Sequence, residues 1–274
     1  MLAHTIVKFE ASDPSRYMIF LHGILGTRAN WRGIARRFVK ARPDWGAILV
    51  DLRQHGESLE QPPPNTLKTT AADVRQLEQA LSLPVRGAVG HSFGGKVALE
   101  WLATRDEGAE IWLIDSSPGP KATEEDSSVT AAVLTTLEGL KKDWPSRETF
   151  VQSIVEAGQP EAIAHWLAMN LNRNDDGSRS FGPDLSAIRS LIEDYAKTDL
   201  WSMVESSPAG STIHVVIGGR STVFSRLDRA RVEAVAGRDS RVFVHIIEDS
   251  GHWVHIDATD ELVALLTSAA SEQP

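Results

Sequence analysis

Short apolar runs alternate with segments of helical periodicity along residues 1–117, and the alternation resumes after residue 208. Apolar runs of roughly four to eight residues are typical of strands in a parallel sheet that is covered on both faces. The predicted strands are 17–21, 47–51, 85–89, 111–115, 212–217 and 242–247. The predicted helices are 31–41, 70–81, 96–104, 224–236 and 259–270. The pattern therefore predicts an α/β protein with a mostly parallel sheet flanked by helices.

The alternation breaks at residues 118–208, where helical segments are separated by proline, glycine and a polar loop, and no strand pattern is visible. We predict that this segment is a helical cap inserted into one catalytic domain, which residues 1–117 and 209–274 would form. The segment is rich in aromatic residues, namely Trp144, Phe150, Trp166, Phe181, Tyr195 and Trp201. Most of these side chains are expected to pack the cap onto the core, and a few to line an acyl pocket.

Composition narrows the possible chemistry. The chain has no cysteine, which excludes disulfides, a thiol nucleophile and thiolate metal sites. A net charge of −9 disfavours nucleic acid as a partner, because a polyanion would be repelled. The amino terminus lacks the pattern of a signal peptide, and no apolar run approaches membrane-spanning length, so we expect a cytoplasmic protein without membrane insertion.

The segment Gly90-His-Ser-Phe-Gly-Gly95 lies directly between a predicted strand and a predicted helix. A tight turn at this place is the context of a nucleophile elbow, in which Ser92 would have a strained backbone. Small residues at Gly90 and Gly94 would relieve crowding between neighbouring chain segments. The turn would also direct the backbone N–H of Phe93 toward the oxyanion of a tetrahedral intermediate.

Two further loops carry candidate site residues. The loop 22–26 follows the first predicted strand, and we expect the Ile24 N–H to be the second oxyanion donor. His22 precedes that turn, so an orienting role through hydrogen bonds to loop backbone is expected. His252 lies on the loop after the last predicted strand and is the candidate general base. His255 lies nearer the final helix, where a packing or hydrogen-bonding role is expected.

Four motifs occur together in the chain, and they are His-Gly-X-X-Gly at 22–26, Asp-X-Arg-X-His-Gly-X-Ser at 51–58, Gly-His-Ser-X-Gly-Gly at 90–95 and Gly-His-Trp-X-His at 251–255. In this combination the chain resembles small α/β-hydrolases, the bacterial esterases and thioesterase-like enzymes. The resemblance implies that Ser92 attacks an acyl carbonyl, His252 takes and returns the proton, and water releases the acyl group. It also implies a structural role for Arg53 and His55, which would bind neighbouring loops.

The third member of the triad is left open by the sequence. Many members of this group have an aspartate after the strand that corresponds to 212–217, where this chain has Gly-Gly-Arg-Ser-Thr. Asp115, at the carboxyl edge of the sheet beside the elbow strand, is the preferred acid, and Asp228 on the next helix is the alternative. Asp249 is too close to His252 along the same loop to reach the far ring nitrogen easily.

The sequence contains no motif that is typical of a metal site or a cofactor site. No metal-ligand spacing, phosphate-binding loop or dinucleotide fingerprint is present, so neither metal nor cofactor is expected.

The leading hypothesis is cleavage of an ester or thioester of a small to medium acyl group through an acyl-enzyme. A cofactor-free perhydrolase or haloperoxidase-like enzyme, a hydrolase of carbon–carbon bonds and a ligand-binding protein of low turnover remain alternatives. The acyl length and the oligomeric state are left open.

Overall fold

The fold is taken from a computed structural model, which describes residues 1–121 and 128–268. The strands are β1 (His4–Val7), β2 (Arg16–Leu21), β3 (Trp45–Val50), β4 (Val85–His91), β5 (Glu110–Ile114), β6 (Asp143–Trp144), β7 (Leu171–Arg173), β8 (Arg179–Phe181), β9 (Thr212–Gly218) and β10 (Val242–Ile247). The helices are α1 (Arg32–Ala41), α2 (Leu67–Leu81), α3 (Phe93–Ala103), α4 (Ser128–Gly139), α5 (Arg147–Glu156), α6 (Glu161–Leu167), α7 (Leu185–Lys197), α8 (Trp201–Glu205), α9 (Arg226–Ala236), α10 (Val254–Asp257) and α11 (Thr259–Ser268).

A seven-stranded sheet forms the centre of the molecule, in the order β1-β3-β2-β4-β5-β9-β10. All neighbours are parallel except β1, which pairs with β3 in the antiparallel direction. Alternate side chains of β3 enter the two halves of the core: Ile48 and Val50 pack on one face, and Ala47 and Leu49 on the other. Helices α1 and α11 cover the second face and contact each other, whereas α2 and α3 pack together on the first. The predicted parallel sheet with both faces covered is confirmed.

Helix α1 shows how sequence determines these layers. Its buried side chains, Ile34, Ala35, Phe38 and Val39, recur at helical spacing and face the sheet, while its arginines lie on the opposite side.

Helix α2 begins earlier than the periodicity predicts, at Leu67, because the Thr66 hydroxyl accepts a hydrogen bond from the Thr69 amide and caps the helix.

The edge strand β1 was not predicted. It has only four residues and is mostly half-buried, so it lacks the continuous apolar run of the central strands. The last predicted helix is present up to Ser268, and its final residues lie outside the described part of the chain.

The segment predicted as a helical cap contains helices α4 to α8 and also a small sheet, in which β8 pairs with β6 and β7. The expectation of no strand between 118 and 208 is therefore wrong. These strands are two or three residues long, too short to give an alternating pattern, and the polar loop 172–179 is a hairpin that pairs Arg173 with Arg179. Among the described helices, none has the length and apolar character needed to cross a membrane.

Candidate active site

Ser92 stands between β4 and α3 with a strained backbone, at φ 51° and ψ −115°. Three hydrogen bonds hold this conformation. The Ser92 N–H donates to the Ile114 carbonyl at 3.0 Å, and the Ser92 carbonyl accepts from the Gly95 N–H at 3.0 Å and from the Ser116 hydroxyl at 2.6 Å. The neighbouring strand β5 and the loop after it therefore fix the turn that presents the serine.

The glycines around the elbow are required by contact between backbones. A Cβ atom at Gly90 would lie 2.1 Å from the Gly94 carbonyl oxygen, and one at Gly94 would lie 2.5 Å from the Leu21 carbonyl oxygen. Backbone cannot yield to this extent, so the sequence expectation of crowding at both positions agrees with the geometry.

Asp115 and His252 meet at the carboxyl edge of the sheet. The Nδ1 of His252 lies 2.7 Å from Oδ2 of Asp115, and the aspartate is fully buried. Its other carboxylate oxygen, Oδ1, accepts a hydrogen bond from the Gly218 N–H at 3.1 Å. Asp115 thus has fixed donors on both oxygens, and a carboxylate in this setting can hold one tautomer of His252.

The other two aspartates considered from the sequence have different partners. Asp228 lies in the first turn of α9, where its carboxylate accepts a hydrogen bond from Ser225 at 3.0 Å. Asp249 is exposed and forms an ion pair with Arg220 at 2.9 Å. Of the candidates, the structure therefore brings Asp115 to His252.

Sequence analysis missed Ser221, which donates its hydroxyl hydrogen to Oδ2 of Asp115 at 2.5 Å. The residue is buried just after β9, within the Gly-Gly-Arg-Ser run that occupies the usual position of the acid. The sequence shows this departure from the pattern, but the loss of a carboxylate does not by itself indicate that a serine hydroxyl lies beside Asp115.

Replacing Ser221 by alanine should lower kcat for ester hydrolysis about tenfold, because a hydrogen bond to a buried carboxylate contributes roughly 1.5–3 kcal/mol and positions it against His252. Ser221→Thr keeps the hydroxyl and should retain most of the rate. Steady-state kinetics on one ester would compare the three proteins, and an unchanged kcat in Ser221→Ala would show that this hydroxyl has no part in catalysis.

The two candidate oxyanion donors lie in the wall of the same cavity as Ser92. Phe93 is the first residue of α3, so its amide has no acceptor within the helix. Ile24 lies in the turn that follows β2, where Leu25 has a positive φ of 58°. The Phe93 amide is thus in a backbone setting that leaves it available to an incoming oxygen, and Ile24 stays the candidate for the second donor.

Two buried histidines hold that turn in place. The Leu25 N–H donates to Nε2 of His55 at 2.9 Å, and the Leu52 N–H donates to Nε2 of His22 at 3.0 Å. Burial lowers the pKa of His22 to about 4 and that of His55 to about 3. Both rings are therefore neutral near pH 7 and can accept these hydrogen bonds, which agrees with the orienting role expected for His22.

Arg53 is almost fully buried and stabilises the loop that precedes α2. Its guanidinium group pairs with Asp73 at 2.7 Å and donates to the carbonyls of Pro62 and Pro64. These contacts fit the structural role that the sequence resemblance implied for this motif.

His91 is a second residue whose position the sequence did not reveal. Its Nε2 lies 2.9 Å from the carbonyl oxygen of His252, and the two rings are 4.7 Å apart. Burial holds the pKa of His91 well below its usual range, so the ring is neutral and donates from Nε2. His91 therefore links the elbow to the loop that carries His252.

A cavity of about 340 Å³ opens beside these residues. Much of its apolar wall comes from the segment predicted as a cap, through Val133, Ile163, Trp166, Ile192 and Tyr195. Of the six aromatic residues noted in the sequence, Trp166 and Tyr195 line the cavity, while Trp144 and Phe150 pack edge to face at 4.7 Å in the interior. Within the described residues, no cluster of three acidic or histidine side chains is placed to hold a metal ion.

A parallel sheet that carries a serine elbow at its carboxyl edge, with a histidine loop after the last strand, defines a hydrolase of the α/β type. A family model described as "Alpha/beta hydrolase family" matches residues 18–265. The chain belongs to this family, and the fold predicted from the sequence is confirmed.

Two curated relatives and one solved structure illustrate the similarity. The sn-1-specific diacylglycerol lipase ABHD11 of Mus musculus is 24% identical over 97% of this chain and 84% of its own length. A putative esterase/lipase of Haemophilus influenzae is 25% identical over 90% of this chain and 80% of its own length. The structure of an esterase from a marine microorganism superposes with a TM-score of 0.78 at 19% identity, covering 96% of this chain and 97% of that one.

Proposed function

We propose that the protein is a serine hydrolase that cleaves carboxylic ester or thioester bonds of small to medium acyl groups through an acyl-enzyme. The observation that carries this proposal is the 2.7 Å contact between His252 and buried Asp115, because His252 lines the same cavity as the strained Ser92. A nucleophile, a base and a group that orients the base are the minimum set for acyl transfer.

The proposed reaction has two stages. The Ser92 oxygen attacks the acyl carbonyl while His252 takes the serine proton, and the oxyanion is stabilised by the amides of Ile24 and Phe93. His252 then gives the proton to the leaving alcohol or thiol as the carbon–oxygen or carbon–sulfur bond breaks. A water molecule, activated by the same histidine, hydrolyses the acyl-enzyme and restores Ser92. Asp115 stabilises the imidazolium ion in both stages.

The size and the apolar lining of the cavity favour a substrate with an acyl group of limited length. Its walls from the segment predicted as a cap are mostly apolar, and burial of a methylene contributes about 0.8 kcal/mol of binding free energy. The esterase and lipase names of the relatives agree with a substrate that carries an acyl chain. We propose that residues 118–208 act as a cap whose apolar side chains receive this chain.

Hydrolysis of p-nitrophenyl esters of graded acyl length, combined with labelling by a fluorophosphonate, tests the proposal. The rate should reach a maximum at an intermediate length and fall once the chain outgrows the cavity. Mass spectrometry should find the label on Ser92, and Ser92→Ala should take none, whereas Ser190→Ala, an exposed change on α7, should be labelled like wild type.

Ester hydrolysis by Ser92→Ala at the wild-type rate would refute the assignment of the nucleophile. A wild-type protein that accepts no ester but cleaves a β-diketone, or forms a peracid, would instead support the carbon–carbon hydrolase or the perhydrolase alternative.

A further inference from the structure

We propose that His255 is a second hydrogen-bonding residue of the cavity, whose Nε2–H binds an uncharged oxygen of the substrate other than the scissile carbonyl. The inference rests on the proposed function and specifies it further, since it names an ester that carries an additional carbonyl, hydroxyl or ether oxygen.

His255 lies in the short helix α10, three residues after His252. It is only 8% exposed, yet it belongs to the cavity wall. Within the part of the chain that the structure describes, neither nitrogen of its ring has a hydrogen-bond partner. Buried imidazoles are normally paired, so this ring has an unfilled hydrogen-bonding capacity.

The two ring nitrogens differ in their surroundings. Nδ1 is fully enclosed without a partner, whereas Nε2 is not enclosed in this way. An enclosed N–H without an acceptor is rarer in proteins than an enclosed acceptor without a donor. Burial lowers the pKa of His255 to about 4, so the ring has a single proton near pH 7. We therefore assign that proton to Nε2, which is then a donor at the cavity wall.

Packing holds this donor in a fixed direction. The ring lies 4.4 Å from the His91 ring and 5.3 Å from the Trp31 ring, both of which also line the cavity. The two rings packed against His255 are uncharged, so neither supplies a counter-charge to a carboxylate at Nε2, and the nearby Asp257 carboxylate would repel one. A neutral oxygen acceptor is the group that the site fits.

An acyl chain made only of carbon would cover Nε2–H and leave it unpaired. A chain with an oxygen at the right distance from the carbonyl would satisfy it, so the enzyme should discriminate between two esters of equal length. Loss of such a hydrogen bond in a closed site should lower kcat/KM about tenfold, which corresponds to about 1.4 kcal/mol.

The test uses p-nitrophenyl esters of straight-chain acids and matched esters in which an ether oxygen replaces one methylene at successive positions. The ratio of kcat/KM between matched esters is measured for wild type, for His255→Phe and for His165→Phe. His165 is an exposed histidine on α6 and serves as the control. Intrinsic differences in ester reactivity cancel when the ratios of the proteins are compared.

We expect one oxygen position at which the wild-type ratio exceeds that of His255→Phe about tenfold, with His165→Phe equal to wild type. Equal ratios in all three proteins at every position would overturn the proposal. If His255→Phe does not fold, His255→Gln, which keeps a donor, should preserve the ratio.

A second measurement needs no variant. The Nε2 resonance of His255 should shift between adducts of Ser92 with an ether-containing phosphonate and with its alkyl counterpart, and no shift at any oxygen position would refute the hydrogen bond. Failure of the proposed function would look different, because wild type would then hydrolyse no ester and form no adduct at Ser92.

Discussion

Replacing Asp115 by asparagine should lower kcat for ester hydrolysis about 10⁴-fold, because the amide cannot stabilise the imidazolium ion of His252. The surroundings make the loss severe. His252 and Ser221 both face Oδ2, and the Gly218 N–H faces Oδ1. Whichever way the new amide turns, its NH₂ group meets a donor. The measurement is steady-state kcat on a p-nitrophenyl ester near pH 7.

Asp228→Asn is the matched control, since Asp228 is hydrogen-bonded to Ser225 at the start of α9 and should not affect the rate. A large loss in Asp228→Asn with near-normal activity in Asp115→Asn would reverse the assignment of the acid. Thermal unfolding of both variants would separate a catalytic effect from a loss of fold.

The central strands could be predicted because their apolar runs are long enough to show a pattern. The edge strand β10 has the predicted bounds, and the central strands differ from the predicted bounds at their ends by a few residues. The short strands could not be predicted in this way, because β1 and the pairs of the small sheet contain too few residues for any period to appear.

The elements that carry the candidate site were predictable for another reason. The serine elbow and the histidine loop are local, so the glycines and the flanking strand identify them from neighbouring residues alone. The contact between Asp115 and His252 is not local, since 137 positions separate the two residues. It depends on the strand order, in which β5 lies between the elbow strand β4 and β9. Sequence analysis could prefer Asp115 over Asp228, but only the order of the sheet brings it to the histidine.

Ser221 and His91 show what sequence reasoning lacks at this site. Each acts through a single hydrogen bond to a distant group, the Asp115 carboxylate and the His252 carbonyl. A serine or a histidine has many common roles, and no spacing rule links either one to its partner. Such supporting contacts follow from packing, so they become visible only after the fold is known.

Lowering the pH from 7 to 5 should strongly destabilise the fold. Burial lowers the pKa of His22 and His255 to about 4 and that of His55 and His214 to about 3, below the ordinary value near 6.5. The unfolded chain therefore binds protons that the native state excludes. This contribution to stability is present above about pH 6.5 and is lost as the pH falls toward 4 for His22 and His255 and toward 3 for His55 and His214, by up to about 2 kcal/mol for each histidine at pH 5.

Whole domains have a free energy of unfolding of roughly 5–15 kcal/mol. The combined loss from these histidines should therefore bring the protein close to acid unfolding. Urea unfolding at pH 7, 6 and 5 measures the slope, and His214 offers a variant outside the candidate site. The His214 ring stacks on the rings of Trp112 and Phe243, with centroid distances of 3.9 Å and 4.9 Å. Its Nδ1 lies 3.1 Å from Nε2 of His245. Phenylalanine can take that place in the stack without titrating, so His214→Phe should lose up to about 2 kcal/mol less than wild type between pH 7 and 5. An identical loss in the two proteins would mean that this buried histidine does not contribute to the acid sensitivity of the fold.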